Sequence, residues 1–325
     1  MPPRRPDKSK RIRVALTGAT GFSGSFILPQ LLAAGHDVVA LARKPEVLAG
    51  KCANIIAGDL NDDAALAKLV EGADVVLHVG GATSARSRNE FFDVNVEGTK
   101  RLFKAARRSH VPRFVYVSSL AAREPALSDY GASKAAAEQY LLPHDDEDFD
   151  VLVLRPPAIY GPGDSSSLPL FKALLSRTAY LPGKSDSRFS LLYVGDFAKV
   201  VCESVDATAH AIFELDDQTM GYSWNDLVQE ARKQYGTAQK VVYLPHAVVH
   251  AVAGLAEIGA RLRGRVAFTS RQKVAEIYHT DWVAKGWIWP VAKPVKLEQG
   301  MAQTVAWYRA HGWLKAGNEK ARGSA

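Results

Sequence analysis

The chain has 325 residues, 47% of them hydrophobic and 23% charged, which is long and apolar enough for one large core or two modest ones. Two cysteines, Cys52 and Cys202, exclude a disulfide framework and point to a reducing compartment, the cytoplasm. The net charge of +7 lies wholly in residues 1–13 and 315–325, so the balanced remainder does not argue for nucleic-acid binding. Residues 1–11 and 315–325 are expected to be solvated, flexible tails, the first of them basic. The start MPPRRPDKSKRIRV lacks the apolar core of a signal peptide, and no integral membrane segment is expected.

β-Branched runs at Arg13–Leu16, Val38–Leu41, Asn54–Ile56, Val75–Val79, Arg113–Val117 and Val151–Leu154 predict strands. Helical patterns lie between them at Ser23–Ala34, Ala64–Val70, Asn95–Arg108 and Ser133–Leu142. This alternation predicts an α/β chain built on a Rossmann-like, doubly wound parallel sheet over residues 12–165. Beyond Pro156 the alternation weakens into Pro-Gly loops and helices near 223–235, 246–263 and 269–277. A smaller, mostly helical substrate-binding region over 166–314 is expected there, with 189–206 returning to the first domain. The apolar stretch Ala247–Ala260, followed by Arg261, Arg263 and Arg265, is expected in the core or against a substrate pocket rather than on a membrane surface. His246 and His250 have the spacing of a zinc helix, but Ala247 replaces its glutamate and no third ligand is evident, so no metal is predicted.

Between the first strand and helix stands TGATGFSG, with Gly18, Gly21 and Gly24 spaced three apart. Glycines there permit a tight turn and let backbone N–H groups approach a diphosphate at the helix N-terminus. Thr17, Thr20 and Phe22 complete this dinucleotide loop. A ribose-binding acid is usual near the end of the second strand. Here Asp37 stands at the wrong end, and Arg43 and Lys44 occupy the ribose position. Cations there suit a 2′-phosphate, so NADP(H) is favoured over NAD(H).

YGASKAAAEQYLL places Tyr130 and Lys134 four residues apart on one helical face. An ammonium beside a phenol favours the phenolate and equips the tyrosine to exchange a proton with a substrate oxygen. A second such pair, Tyr180 and Lys184, spans Leu181-Pro182-Gly183 and is not helical. RFVYVSSLAA brings Ser118 and Ser119 to the carboxyl end of a strand. A hydroxyl there can hold the same substrate oxygen or cap a turn.

Further along the chain come GDL (58–60), DVVLHVGGAT (74–83), VNVEGTKRLFKAA (94–106), LRPPAIYGPGD (154–164) and LLYVGDFA (191–198). With the glycine loop and the Ser and Tyr motifs, they resemble the extended branch of the short-chain dehydrogenase/reductase superfamily, the NAD-dependent epimerase/dehydratase family. The likeness spans about residues 12–314. It implies that the three glycines line the diphosphate, Asp59 and Leu60 meet the adenine, and Val79, Gly80 and Gly81 lie along the cofactor. It further implies Ser119 as catalytic serine beside Ser118, Tyr130 as acid/base, and Lys134 as ribose ligand and tuner of the phenol. Pro156 and Pro157 border the nicotinamide, and Asn95 matches a family asparagine at a helix start, where a plain N-cap serves equally well.

The implied reaction is reversible hydride transfer between the nicotinamide and a small-molecule secondary alcohol or ketone. Arg155-Pro156-Pro157-Ala158-Ile159 lacks the asparagine of many nucleotide-sugar enzymes, and Leu120 and Ala121 stand where dehydratases tend to carry an acid, Glu124 being the nearest. Both departures shift the expectation toward a dehydrogenase or reductase of an apolar substrate, as in steroid-dehydrogenase-like and dihydroflavonol-reductase-like members. A nucleotide-sugar epimerase/dehydratase and a non-catalytic NADP(H)-binding structural or sensor protein are the alternatives. A homodimer is compatible with this reading.

Overall fold

The apolar runs of the N-terminal half become strands in a computed structural model that describes residues 11–315 apart from 186, 208, 210 and 264–269. In chain order they are β1 (Arg13–Thr17), α1 (Gly24–Ala33), β2 (Asp37–Ala42), β3 (Asn54–Ala57), α2 (Asp63–Val70), β4 (Val75–His78), α3 (Arg88–Phe92), α4 (Gly98–Arg108), β5 (Arg113–Val117), α5 (Asp129–Leu141) and β6 (Asp150–Arg155). Every residue of β4 and β5 is buried, as a parallel sheet covered on both faces requires. The two-residue period of β1 sends Val14 and Leu16 into one core with Ile27 and Leu31. Its Ala15 enters the other, with Val76, Phe103 and Phe114.

The remaining elements are β7 (Ala158–Tyr160), α6 (Leu168–Leu174), β8 (Thr178–Pro182), β9 (Arg188–Phe189), β10 (Leu191–Tyr193), α7 (Val194–Glu203), β11 (Ala211–Leu215), β12 (Tyr222–Ser223), α8 (Trp224–Tyr235), β13 (Lys240–Leu244), α9 (His246–Leu262), α10 (Arg271–Tyr278), β14 (Asp281–Trp282), β15 (Ile288–Trp289) and α11 (Leu297–Ala310). The main sheet runs β15-β11-β6-β5-β4-β1-β2-β3, two strands wider than the six read from sequence. β11 has five residues and β15 two. Tertiary packing recruits them, with Trp289 buried and its ring 5.4 Å from that of Phe213.

Two helices begin earlier than their patterns suggest. α5 starts at Asp129 because the Ser128 hydroxyl accepts the Gly131 N–H at 2.9 Å, a side-chain cap that carries the helix beneath Tyr130. The helix expected from Asn95 begins at Arg88, capped by Ser87, and reaches α4 through a π-turn over Asp93–Glu97. Asn95 therefore lies inside a helix and is not an N-cap. The smaller C-terminal region has its own core around Tyr160, Phe171, Trp224 and Tyr308. The segment expected in a core or pocket behaves differently. In α9 Ala253 and Gly254 are buried, whereas Val248, Val252, Leu255, Ile258 and Leu262 are exposed. Among the described residues no helix is long and apolar enough to cross a membrane.

Candidate active site

The carboxyl ends of β1, β4 and β5 meet the start of α5, and Thr17, Gly80, Gly81, Asn95 and Lys134 come together there. Gly18 has φ +80°, and a Cβ on it would lie 2.6 Å from Gly80 N; one on Gly24 would lie 2.0 Å from Gly18 O. The turn itself demands those two glycines. At Gly21 a Cβ would meet Gly18 O at 3.4 Å, an ordinary contact. Internal packing places no such demand on Gly21, which is exposed beside the start of α1, where a diphosphate could approach the backbone. Thr20 is exposed and Phe22 packs edge-on against Phe26.

Beneath this loop runs a buried chain of hydrogen bonds that the sequence reading missed. Gly80 N–H donates to Thr17 Oγ1 at 3.1 Å, and Thr17 Oγ1 lies 2.6 Å from His78 Nδ1. His78 Nε2 lies 2.9 Å from Thr99 Oγ1, whose hydroxyl donates to the Asn95 carbonyl at 2.7 Å. Because the Thr99 hydroxyl donates to Asn95 O, its oxygen accepts from Nε2–H, and in the neutral ring Nδ1 accepts from the Thr17 hydroxyl. Burial, aided by the charge of Lys134, holds the His78 pKa down to about 3. The unfolded chain takes up this proton below about pH 6.5, so stability from His78 is full above that value and drains away as pH falls toward 3. Thermal unfolding followed against pH is expected to show that decline, and His78→Gln should flatten it; an unchanged slope would remove His78 as its source.

Asn95 ties the next loop down. Its Oδ1 accepts Ala82 N–H at 2.7 Å, and its Nδ2 donates to Ala82 O at 3.0 Å and Ser133 Oγ at 2.9 Å. Expected at the cofactor, Asn95 uses its amide to clamp the β4 loop to α5. A Cβ on Gly81 would come 3.0 Å from Asn95 Oδ1 and 3.3 Å from Lys134 Nζ, which places the ammonium at this loop.

Lys134 is buried and Tyr130 half-buried on the first turns of α5. Burial pushes the Tyr130 phenol up to about 12, the Ser119 hydroxyl pulls it partly back through a hydrogen bond, and Glu276 adds to the rise. The net shift is upward, whereas the sequence leads to the expectation that the neighbouring Lys134 draws the phenol down. The Lys134 ammonium donates to Val117 O at 2.9 Å and sits 4.8 Å over the Tyr116 ring, and burial lowers its pKa to about 8 against an opposing pull from Glu138. Ser119 Oγ accepts Ala121 N–H at 3.1 Å, capping the turn after β5, and its hydroxyl acts on the Tyr130 phenol. Ser118, expected beside the cofactor, instead donates to buried Glu138. Glu138 receives Arg155 through two contacts, at 2.9 and 2.5 Å. Arg155 also reaches Glu214 at 3.7 Å, and Glu214 pairs with Arg123 at 3.3 Å.

At the far end of the site Arg43 and Lys44 are exposed just past β2. Asp37, at the other end of that strand, is engaged by Arg13 at 3.2 Å and Asn54 at 3.1 Å. Asp59 accepts Asn61 N–H at 2.8 Å, Leu60 packs on Gly98, Val79 packs against the core, and Pro157 is buried after β6. His246 and His250, the rejected metal pair, lie with tilted rings 5.4 Å apart, and His246 packs edge-on against Tyr278 at 4.9 Å.

Known proteins resemble this chain in sequence and in fold. Residues 14–214 match the pattern of the NAD dependent epimerase/dehydratase family. The chain is 36% identical to a ceramide reductase of Caulobacter vibrioides over 308 residues, 93% of this chain and 96% of that protein. It is 30% identical to a 3 beta-hydroxysteroid dehydrogenase/Delta 5-->4-isomerase of Mycobacterium tuberculosis over 242 residues, 66% of this chain and 65% of the other. The solved UDP-glucose 4-epimerase of Thermus thermophilus, in complex with NAD, superposes with a TM-score of 0.64 at 22% identity, over 92% of this chain and 99% of that one. This last likeness speaks to the fold alone. The chain belongs to the NAD-dependent epimerase/dehydratase family, and is an extended short-chain oxidoreductase or epimerase that works with a nicotinamide dinucleotide.

Proposed function

We propose that this protein reduces a ketone on a lipid of the ceramide class to a secondary alcohol, with NADPH as the preferred donor. The observation that carries the reading is the similarity to a ceramide reductase over nearly the full length of both chains, C-terminal substrate region included. The missing asparagine after β6 and the missing acid after Ser119 weigh in the same direction, away from nucleotide sugars.

Bound at the glycine loop, the dinucleotide supplies the hydride. The protein's part is to hold the carbonyl and deliver a proton. Ser119 orients the substrate oxygen, and Tyr130 gives it the phenolic proton. The raised phenol pKa of about 12 supports this direction, since the side chain then stays protonated through the physiological range. Lys134 holds the nicotinamide ribose and stabilises the phenolate that forms. Arg43 and Lys44 grip the 2′-phosphate, and the engagement of Asp37 elsewhere leaves that end of β2 without an acid from this strand.

The test is NADPH consumption by the purified protein with a keto-ceramide, a steroid ketone and a UDP-sugar. Turnover on the keto-ceramide is expected, and its absence alongside turnover on a UDP-sugar would overturn the reading. In the same assay Arg43→Ala with Lys44→Ala is expected to weaken NADPH binding about tenfold or more, and NADH binding about twofold or less. Equal losses would return both cations to the solvated surface.

A further inference from the structure

α9 is an amphipathic helix worn inside out. Toward the protein it turns small and polar groups: Ala253 and Gly254 are buried, Glu257 accepts Arg271 N–H at 2.8 Å, and His246 lies on Tyr278. Away from it, at spacings of three and four, stand Val248, Val252, Leu255, Ile258 and Leu262, with exposures from 52% to 83%. These residues form one apolar stripe about 21 Å long. A globular protein normally turns such a stripe inward, and one left outside marks an interaction surface.

We propose that α9 seats this protein on an anionic membrane surface, with the stripe sunk at the boundary of headgroups and acyl chains. Three observations choose a bilayer over a protein partner. The stripe carries no acid, and the nearby Glu257 is turned away and paired with Arg271. The Arg263 guanidinium folds back over the helix, its Nη1 3.5 Å from where a Cβ on Gly259 would stand, between Leu255 and Leu262 on the outward side. An arginine laid over apolar surface can lift its head to lipid phosphate while its stem stays in the boundary. In the sequence Arg261 and Arg265 flank Arg263. The helix is too short to span a bilayer, so it lies on the surface.

The seat also bears on the site. α9 packs on α10, and α10 grips the start of the catalytic helix: Ser128 donates to Glu276 at 2.5 Å, and Asp129 N–H donates to Gln272 at 3.0 Å. Tyr130 follows directly. A lipid still partly in the bilayer would thus meet the proton donor from the docked side. The stripe and its arginine carry this proposal without the ceramide reading, though a membrane-borne substrate gives the seat its use.

The experiment sediments the full-length protein with vesicles of phosphatidylcholine, alone or mixed with phosphatidylglycerol. Retention on the mixed vesicles is expected, with affinity falling at least tenfold in Leu255→Glu with Ile258→Glu and about fivefold in Arg263→Ala. NADPH affinity of the variants, read in solution, should match wild type and shows that the fold and the site survive. No retention of wild type, or equal retention of the double variant, overturns the docking. A doubled mass in solution that the double variant abolishes overturns it in favour of a second copy of the chain. Vesicle binding without turnover would sink the reductase reading alone, and turnover without vesicle binding the docking alone.

Discussion

Tyr130→Phe is expected to cut kcat/KM for ketone reduction by roughly a thousandfold while NADPH affinity stays within about twofold. The phenyl ring keeps the packing of the native one, which lies 6.1 Å from Phe91, so the fold has no reason to yield. What is lost is a proton held ready. Burial keeps the phenol at about 12, far above the working range, so its supply does not limit the reaction with pH. Lys134 is different. Burial has brought its ammonium to about 8, and the phenolate left after proton transfer needs that positive charge beside the ribose. Reduction should therefore run level below pH 8 and fall as pH rises through it, with the loss of the lysine proton. Initial rates over pH 6 to 10 would show the limb. A Tyr130→Phe enzyme that keeps its rate, or a wild-type rate that climbs above pH 8, contradicts this assignment.

The parts of this site that follow from chain-local rules were legible in the sequence. Three glycines between a β-branched run and a helix describe a phosphate turn, and a tyrosine and lysine four apart must share a helical face. Other parts depend on which way a side chain turns once the sheet has formed. Ser118 and Ser119 are adjacent on an extended strand end, so they point to opposite sides; the sequence cannot say that Glu138 waits behind the first. The signal for Glu138 was nonetheless present, since it stands four residues beyond Lys134 as Lys134 stands beyond Tyr130. His78 was hidden because a histidine in an apolar strand reads as a flaw in the pattern, and its threonine partners lie 61 and 21 residues away. The apolar row of α9 shows in its spacing, but spacing alone does not distinguish the side facing the protein from the side facing water. β11 and β15 are short runs whose strand state depends on a neighbouring edge, β6 for the first and β11 for the second.

Glu138→Ala is expected to destabilise the protein by about 3–5 kcal/mol. The carboxylate is almost wholly enclosed, with Arg155 on one side and the Ser118 hydroxyl on the other. Removing it leaves a guanidinium with 17% of its side chain exposed and only the longer 3.7 Å contact to Glu214. It also leaves a buried hydroxyl without its acceptor. Glu138→Leu with Arg155→Met should recover most of the loss, because an apolar pair of similar volume has no charge to desolvate. Urea unfolding would measure both, and a single-variant cost below about 1 kcal/mol would show that water already reaches the pair. The milder Glu138→Gln separates stability from chemistry. Glu138 is the group that raises the Lys134 pKa against burial, so neutralising it should move the alkaline limb of the reduction profile below pH 8. If the limb stays in place while stability falls, the carboxylate holds the fold together and does not tune the lysine; if it moves, one buried charge behind the serine strand does both.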